Sequence, residues 1–263
     1  AAAMIELKQV SKRYGSGPTT LQDLSLTLAE HQFTCLLGPS GCGKTTLLNL
    51  IAGFVAPSSG QVLLQGQPVS KPGPDRGVVF QDATLFPWMS VLDNVRFGLQ
   101  QQGMNDLQST AVACEHLELV GMLSHQHVWP IRLSGGMRQR VAIARILALR
   151  PKVLLMDEPF SALDANSRER LQDELLRICD LCPTTVVYIT HNVDEAAFLA
   201  ERVIVMAPAP NNLHADITLS SPRPRLRSSH AFRTISMQLR TELDRLPCCI
   251  SASAQDCLCS VEK

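Results

Sequence analysis

The chain has 263 residues, 45% of them apolar and 18% charged, which is the composition of a globular protein and not of a disordered one. Lys plus Arg and Asp plus Glu both number 24, so no global charge draws it to nucleic acid or lipid. The longest apolar runs are far too short to span a bilayer, and the first residues lack the basic start and long apolar stretch of a signal peptide, so a membrane-spanning or secreted protein is not expected.

The three alanines ahead of Met4 read as a cloning remnant. Ile5, Leu7 and Val10 predict a first strand, and Leu24, Leu26 and Leu28 alternate with polar residues in a second. Short continuous apolar runs follow: Thr34 to Leu37, Gly77 to Phe80, Val153 to Met156, Val186 to Ile189 and Val203 to Met206. Runs of this kind suit strands buried on both faces, as in a parallel sheet covered by helices. Helical patterns lie between them, at Asp106 to Leu123 and along the stripe Met137, Val141, Ala144 and Ala148. Alternating strands and helices predict an α/β domain. Beyond it, Ala207 to Asn212 reads as a turn or linker, residues 222–247 carry six Arg against Glu242 and Asp244, and Arg233 to Leu246 predicts a short helix.

Residues 38–46 read GPSGCGKTT between an apolar strand and an apolar helix, which fits the phosphate-binding loop G-x-x-x-x-G-K-[ST]. Gly38, Gly41 and Gly43 let backbone N–H groups turn toward a phosphate, flanked by Ser40, Cys42 and Thr46. Lys44 supplies a charge for the β and γ phosphates, and the Thr45 hydroxyl is a ligand for Mg²⁺. The strand Val153 to Met156 runs into Asp157 and Glu158 at the sheet's carboxyl edge. Asp157 suits the Mg²⁺ shell through water, and Glu158 is placed to polarise a water against the γ-phosphate. Residues 133–140, LSGGMRQR, open the Met137 helix, and Ser134, Gly135 and Gly136 form a second anion site. Two anion sites on one chain predict that two copies pair, the loop of one completed by the LSGG of the other.

This set is similar to the ATP-binding cassette (ABC) ATPases along residues 4–206. The resemblance implies an α/β nucleotide-binding domain with a P-loop parallel-sheet core, an antiparallel β subdomain and a small helical subdomain at about 88–145. It implies further roles: Tyr14 stacks on adenine, Gln81 touches Mg²⁺ and senses a membrane partner, Ser161-Ala162-Leu163-Asp164 crosses the dimer interface, and His191 contacts the γ-phosphate. Asn192 stands where the family commonly has Asp. One cassette, with 51 residues between Gln81 and Leu133 and no fused membrane helices, resembles the separate ATPase subunit of a bacterial importer. Pro74 to Gln81, Leu85 to Val95 and Pro222-Arg223-Pro224-Arg225 resemble the nitrate/sulfonate/taurine group. The resemblance implies ATP and Mg²⁺ as cofactors and a peripheral place on the cytoplasmic face of the inner membrane. The implied partners are a second copy of the chain, polytopic permease subunits and, indirectly, a solute-binding protein. It also makes Leu85-Phe86-Pro87-Trp88 part of the groove for the permease's coupling helix; by itself the apolar run reads equally as core. The rival reading, a soluble ABC protein acting on nucleic acid, rests only on the basic stretch at 222–247.

The family pattern does not account for residues 248–263. Cys248, Cys249, Cys257 and Cys259 could ligate an iron–sulfur cluster (4Fe–4S) or, with poorer spacing, zinc; the alternative is a tail without a ligand role. Cys179 and Cys182, although tidily spaced, read as packing residues in a helix-to-strand turn.

Overall fold

The computed structural model describes residues 2–161 and 163–246. In chain order, β1 (Ala3–Arg13) and β2 (Thr19–Ala29) precede β3 (Phe33–Leu37), which runs through a glycine loop into α1 (Lys44–Ala52). A hairpin follows, β4 (Ser59–Leu64) and β5 (Gln67–Pro68), then β6 (Arg76–Val79). Next come α2 (Val91–Gln101), α3 (Asp106–Leu119) and α4 (Gly135–Ala148), with two single turns of 3₁₀ helix between α3 and α4. The chain then alternates through β7 (Val153–Asp157), α5 (Ala165–Leu181), β8 (Thr185–Thr190), α6 (Val193–Leu199), β9 (Arg202–Met206) and β10 (Leu213–Thr218), and α7 (His230–Asp244) is the last described helix.

Two sheets result. One is antiparallel, in the order β2-β1-β4-β5; the other runs β10-β9-β3-β8-β7-β6 and is parallel except for its edge strand β10. Strand alternation sorts the larger sheet's residues between two cores. Cys35, Leu37, Leu154, Met156, Val186 and Tyr188 face the helical side. Leu36, Val153, Leu155, Val187 and Ile189 face α1 and the antiparallel sheet. Every residue of β3 and β8 is buried, as expected for strands covered on both faces. Helix α3 ends four residues before the predicted Leu123, because Gly121 takes a left-handed conformation (φ 67°) that turns the chain. Helix α7 begins at His230, ahead of the predicted Arg233, because Ser229 caps it by accepting from the Phe232 N–H.

The sheet does not stop at Met206: β10 pairs antiparallel with β9, and Arg202 grips Asp216 through two hydrogen bonds of 2.7 and 2.6 Å. Of the six arginines that follow, Arg233, Arg240 and Arg245 are exposed on or beside α7, whereas Arg223, Arg225 and Arg227 pack against the fold. Arg225 is only 5% exposed and donates to the carbonyls of Ala197, Phe198 and Ala200 at the C-terminal end of α6. Arg223 donates to Leu199 and Glu201, and the Arg227 guanidinium lies 3.5 Å from the Phe198 ring centroid. Arg223 and Arg225 thus satisfy the orphan carbonyls of a helix end.

Candidate functional site: a nucleotide loop at the carboxyl edge of the sheet

Parallel pairing sets the ends of the strands level. Leu37 stands beside Thr190, Asp157 beside Ile189 and Val79 beside Met156, so the residues that follow β3, β6, β7 and β8 emerge at one edge. Ligands of open α/β sheets bind at that edge. It carries the loop 38–43, Gln81, Glu158 and His191.

The start of α1 differs from every other α-helix start in the described residues. Ser90, Asn105, Ser134, Asp164, Asn192 and Ser229 each accept a hydrogen bond from an N–H of the helix they precede. Helix α1 is preceded by Gly43 in the left-handed region (φ 100°), and no side chain caps it. Its first N–H groups are open to an anion, and the helix dipole favours one there. Lys44, 6% exposed, donates to the carbonyls of Gly38 (2.8 Å) and Pro39 (2.7 Å), which holds the ammonium inside its own loop. Gly41 and Gly43 take the positive φ that the loop requires. Gly38 is needed for a different reason: a Cβ there would lie 2.5 Å from the Met206 carbonyl oxygen. Ser40 is exposed and Thr46 half-buried, whereas the Cys42 side chain turns into the core, where burial pushes its thiol pKa up.

The Thr45 hydroxyl lies near the Asp157 carboxyl and favours its charged form. Burial pushes the Asp157 carboxyl above the ordinary range, and the neighbouring Glu158 charge adds to the rise, while Thr45 and Lys44 oppose it. A hydroxyl and a carboxylate side by side are the hard oxygen donors that suit Mg²⁺. Glu158 Oε2 lies 3.0 Å from His191 Nδ1. Its backbone is left-handed (φ 44°), a conformation that costs energy in a non-glycine residue and persists where the surroundings enforce it. Here the Glu158 N–H donates to Ile189 O (3.1 Å), and its carbonyl accepts from the Ser161 hydroxyl (2.9 Å). Asp164 caps α5, and hydrogen bonds from Ser167 hold its carboxyl below the ordinary range.

The remaining expected site residues stand on other elements. Tyr14 is in the turn between β1 and β2, 47% exposed, with the Lys12 ammonium 5.0 Å from its ring centroid. Gln81 is exposed just past β6. Ser134, Gly135 and Gly136 start α4, and Ser134 accepts from the Met137 N–H at 3.3 Å. Asn192 caps α6 by accepting from the N–H groups of Asp194 and Glu195, a task Asp would perform equally well. The run at 85–88 divides: Leu85 is core, whereas Trp88 is 66% exposed. Phe86 lines a groove of about 470 Å³ together with Phe54, Phe80, Phe97 and Arg145. Cys179 and Cys182 are half-buried free thiols, and burial pushes Cys179 up to about 12. No group of three or more His, Cys, Asp or Glu suited to a metal occurs among the described residues. Cys248, Cys249, Cys257 and Cys259 lie outside them.

The extension arginines were legible only as charge; their task shows once the carbonyls they meet are placed. Asn192 as a cap could have been read from its position, one residue before an apolar-rich helix.

A family model described as ABC transporter matches residues 21–161. A nitrate import ATP-binding protein of Synechococcus elongatus is 47% identical over 230 residues, covering 86% of this chain and 84% of that protein. A taurine import ATP-binding protein of Pseudomonas entomophila is 49% identical over 214 residues, covering 80% of this chain and 82% of that protein. Among solved structures, a dimeric ATP-binding cassette in a post-hydrolysis state, bound to ADP and Pi, superposes with a TM-score of 0.72 at 31% identity, over 83% of this chain and 100% of that one. An uncapped P-loop helix, a carboxylate pair at the sheet edge and these likenesses agree: the chain belongs to the ABC transporter family and is one of its ATPases.

Proposed function

We propose that this chain is the ATP-hydrolysing subunit of an importer in the nitrate/sulfonate/taurine group. In this reading it works as an ATP-sandwich pair on the cytoplasmic face of the inner membrane, beneath separate permease subunits that receive cargo from a solute-binding protein. The observation that carries the reading is the Glu158–His191 contact of 3.0 Å, beside a helix start that no protein group caps. Residues 4–206 form the ATPase domain, with its helical subdomain at about 88–145, and 207–247 the linker and basic extension.

The roles follow from position. Lys44 leaves the Gly38 and Pro39 carbonyls for the β and γ phosphates, and the N–H groups of the loop from Gly38 to Thr46 cradle them. Tyr14, already beside a cation, offers its exposed face to the adenine. The Thr45 hydroxyl, Gln81 and, through water, Asp157 would hold Mg²⁺, which would supply positive charge against the phosphates. Glu158 takes a proton from the attacking water, and His191 orients that carboxylate and meets the γ-phosphate. Ser134, Gly135 and Gly136 close over the nucleotide of the other copy. The aromatic groove beside Phe86 receives the permease. Among the described residues no helix is long and apolar enough to cross a membrane, which suits a subunit that borrows its membrane span. Arg223, Arg225 and Arg227 are engaged by their own fold, so half of the arginines behind the nucleic-acid reading have a structural task.

Glu158→Gln should retain ATP binding, lose turnover by about 10²–10⁴-fold and accumulate as a dimer with ATP. Hydrolysis at the parent rate would show that Glu158 is not the base. Copurification with a polytopic permease supports transport; nucleic-acid-stimulated ATPase activity without a membrane partner would support the rival.

A further inference from the structure

Glu195, on α6, is 6% exposed and four residues beyond His191, yet it belongs to neither the loop nor the hydrolytic pair. One carboxylate oxygen, Oε2, accepts from the Thr190 hydroxyl (2.7 Å) and from the Tyr188 hydroxyl (3.1 Å). The Thr190 oxygen in turn accepts from the Asn192 N–H at 3.0 Å. Both chain neighbours of His191 are therefore tied to one buried carboxylate.

The other oxygen, Oε1, faces Arg168 Nε at 3.6 Å. Arg168, on α5, also donates from Nε to the Phe160 carbonyl (3.2 Å) and from Nη2 to the Leu163 carbonyl (2.8 Å). Those carbonyls belong to the segment that begins at Glu158 and leads to Asp164. A single ion pair thus joins the backbone that carries His191 to the backbone that carries Glu158. An ion pair with one partner buried and the other half-buried is weak support for stability, because desolvation offsets its attraction; fixing one geometry among several is its better-attested use. The pair also lines a cavity of about 250 Å³ into which Arg227 and Phe232 of the C-terminal segment project.

We propose that Glu195, held by Arg168, is a positioning residue for hydrolysis: it sets the spacing of Glu158 and His191 by tying their two backbone segments together. This rests on the reading of those two residues given above. No hydrogen bond of the network reaches the loop at 38–46, and His191 is its one link to the γ-phosphate, so nucleotide affinity should change far less than turnover.

The test is steady-state ATPase kinetics on the full chain. Parent activity and its loss in Glu158→Gln are the controls; an inactive parent overturns the functional reading and not this proposal. Glu195→Gln keeps shape and removes charge. It should lower kcat about tenfold or more with KM for ATP within about twofold, since small displacements at a reacting centre cost rate more than binding. Pairing it with Arg168→Gln should lower kcat no further than the worse single variant, because the two act as one unit. A kcat within twofold of the parent overturns the proposal, as does a KM that rises in step with the fall in kcat, or single losses that multiply in the double variant. If Glu195→Gln does not fold, Thr190→Val decides: it removes one hydroxyl, and the same fall in kcat at constant KM is expected, whereas unchanged kcat overturns the proposal.

Discussion

Helices α1 and α4 both open on glycine-bearing loops, and they treat their first N–H groups in opposite ways. Helix α4 is closed by its own chain: the Ser134 oxygen accepts from the Met137 N–H. Helix α1 has a left-handed glycine where that serine would stand, and its N–H groups lack a side-chain acceptor. The first is a finished helix whose serine O–H has no acceptor among the described residues, so it is free to donate outward. The second is an incomplete helix that a phosphate would finish. In the proposed dimer, the difference separates a site that binds nucleotide from one that closes over nucleotide bound by the other copy.

Lys44→Ala should break the comparison most severely. It removes the charge at the incomplete helix, and losing one partner of a close charge pair costs about 2–5 kcal/mol, roughly thirtyfold or more in ATP affinity. Titration with a fluorescent ATP analogue reads this directly; undiminished affinity would mean the loop at 38–46 does not hold phosphate. Stability should change less, because exposed Pro39 lets water replace part of what Lys44 supplied.

Asp157 gives the next effect. Its pKa is raised by burial, so its proton competes with Mg²⁺ at a higher pH than an ordinary carboxylate would allow. As pH falls through that raised value, Mg-ATP affinity should drop by up to about tenfold per pH unit for one proton. The free protein behaves oppositely. An acid whose folded pKa is raised keeps its proton on folding, so its contribution makes folding more favourable as pH falls from the raised value toward the ordinary one. Binding isotherms and thermal melts on Asp157→Asn should lose both trends, and retention of either would assign it to another group.

Ser134→Ala and Ser229→Ala sharpen the comparison with a matched pair. Each removes an N-cap acceptor, at 3.3 and 3.1 Å, and each should cost about 1 kcal/mol in denaturant unfolding. Only Ser134→Ala should also slow turnover, because only that hydroxyl faces a partner's nucleotide in the proposed dimer. Equal effects on turnover would remove Ser134 from the site.

The sequence shows the loop at 38–46 and the strand into Asp157 because each is a local pattern whose chemistry needs adjacent residues. Strands β3, β7, β8 and β9 were legible for the same reason, as unbroken apolar runs. Strand β10 was not: His214 and Asp216 interrupt it, and as an edge strand exposed along much of its length it needs no apolar alternation. It is held by pairing with β9 and by the Arg202–Asp216 fork, a contact between residues 14 apart. The task of Arg225 was not legible for a related reason. Charge composition records the guanidinium and not the three α6 carbonyls that surround it. The Glu158–His191 contact joins the ends of two neighbouring strands, so spacing along the chain could suggest it only through a family likeness.

Asn192→Asp should produce the smallest effect. The Asn192 side-chain oxygen accepts from the N–H groups of Asp194 (2.9 Å) and Glu195 (3.3 Å), and a carboxylate would accept from the same two. As caps the two residues rank together. The added negative charge gains about 0.3–1 kcal/mol from the helix dipole at most. Helix α6 has only seven residues, however, and Asp194 and Glu195 already place two carboxylates in its first turn, so repulsion offsets much of that gain. Thermal or denaturant unfolding should move by less than about 0.5 kcal/mol. Turnover should stay within about twofold, because the cap keeps Thr190, Asn192 and Glu195 in the same arrangement. Asn192→Ala is the contrast: it removes both accepted bonds, costs about 1 kcal/mol and loosens the turn that carries His191. A tenfold change in kcat from Asn192→Asp, with unfolding unchanged, would mean that charge at this position acts on the hydrolytic pair itself and that capping α6 does not describe what residue 192 does.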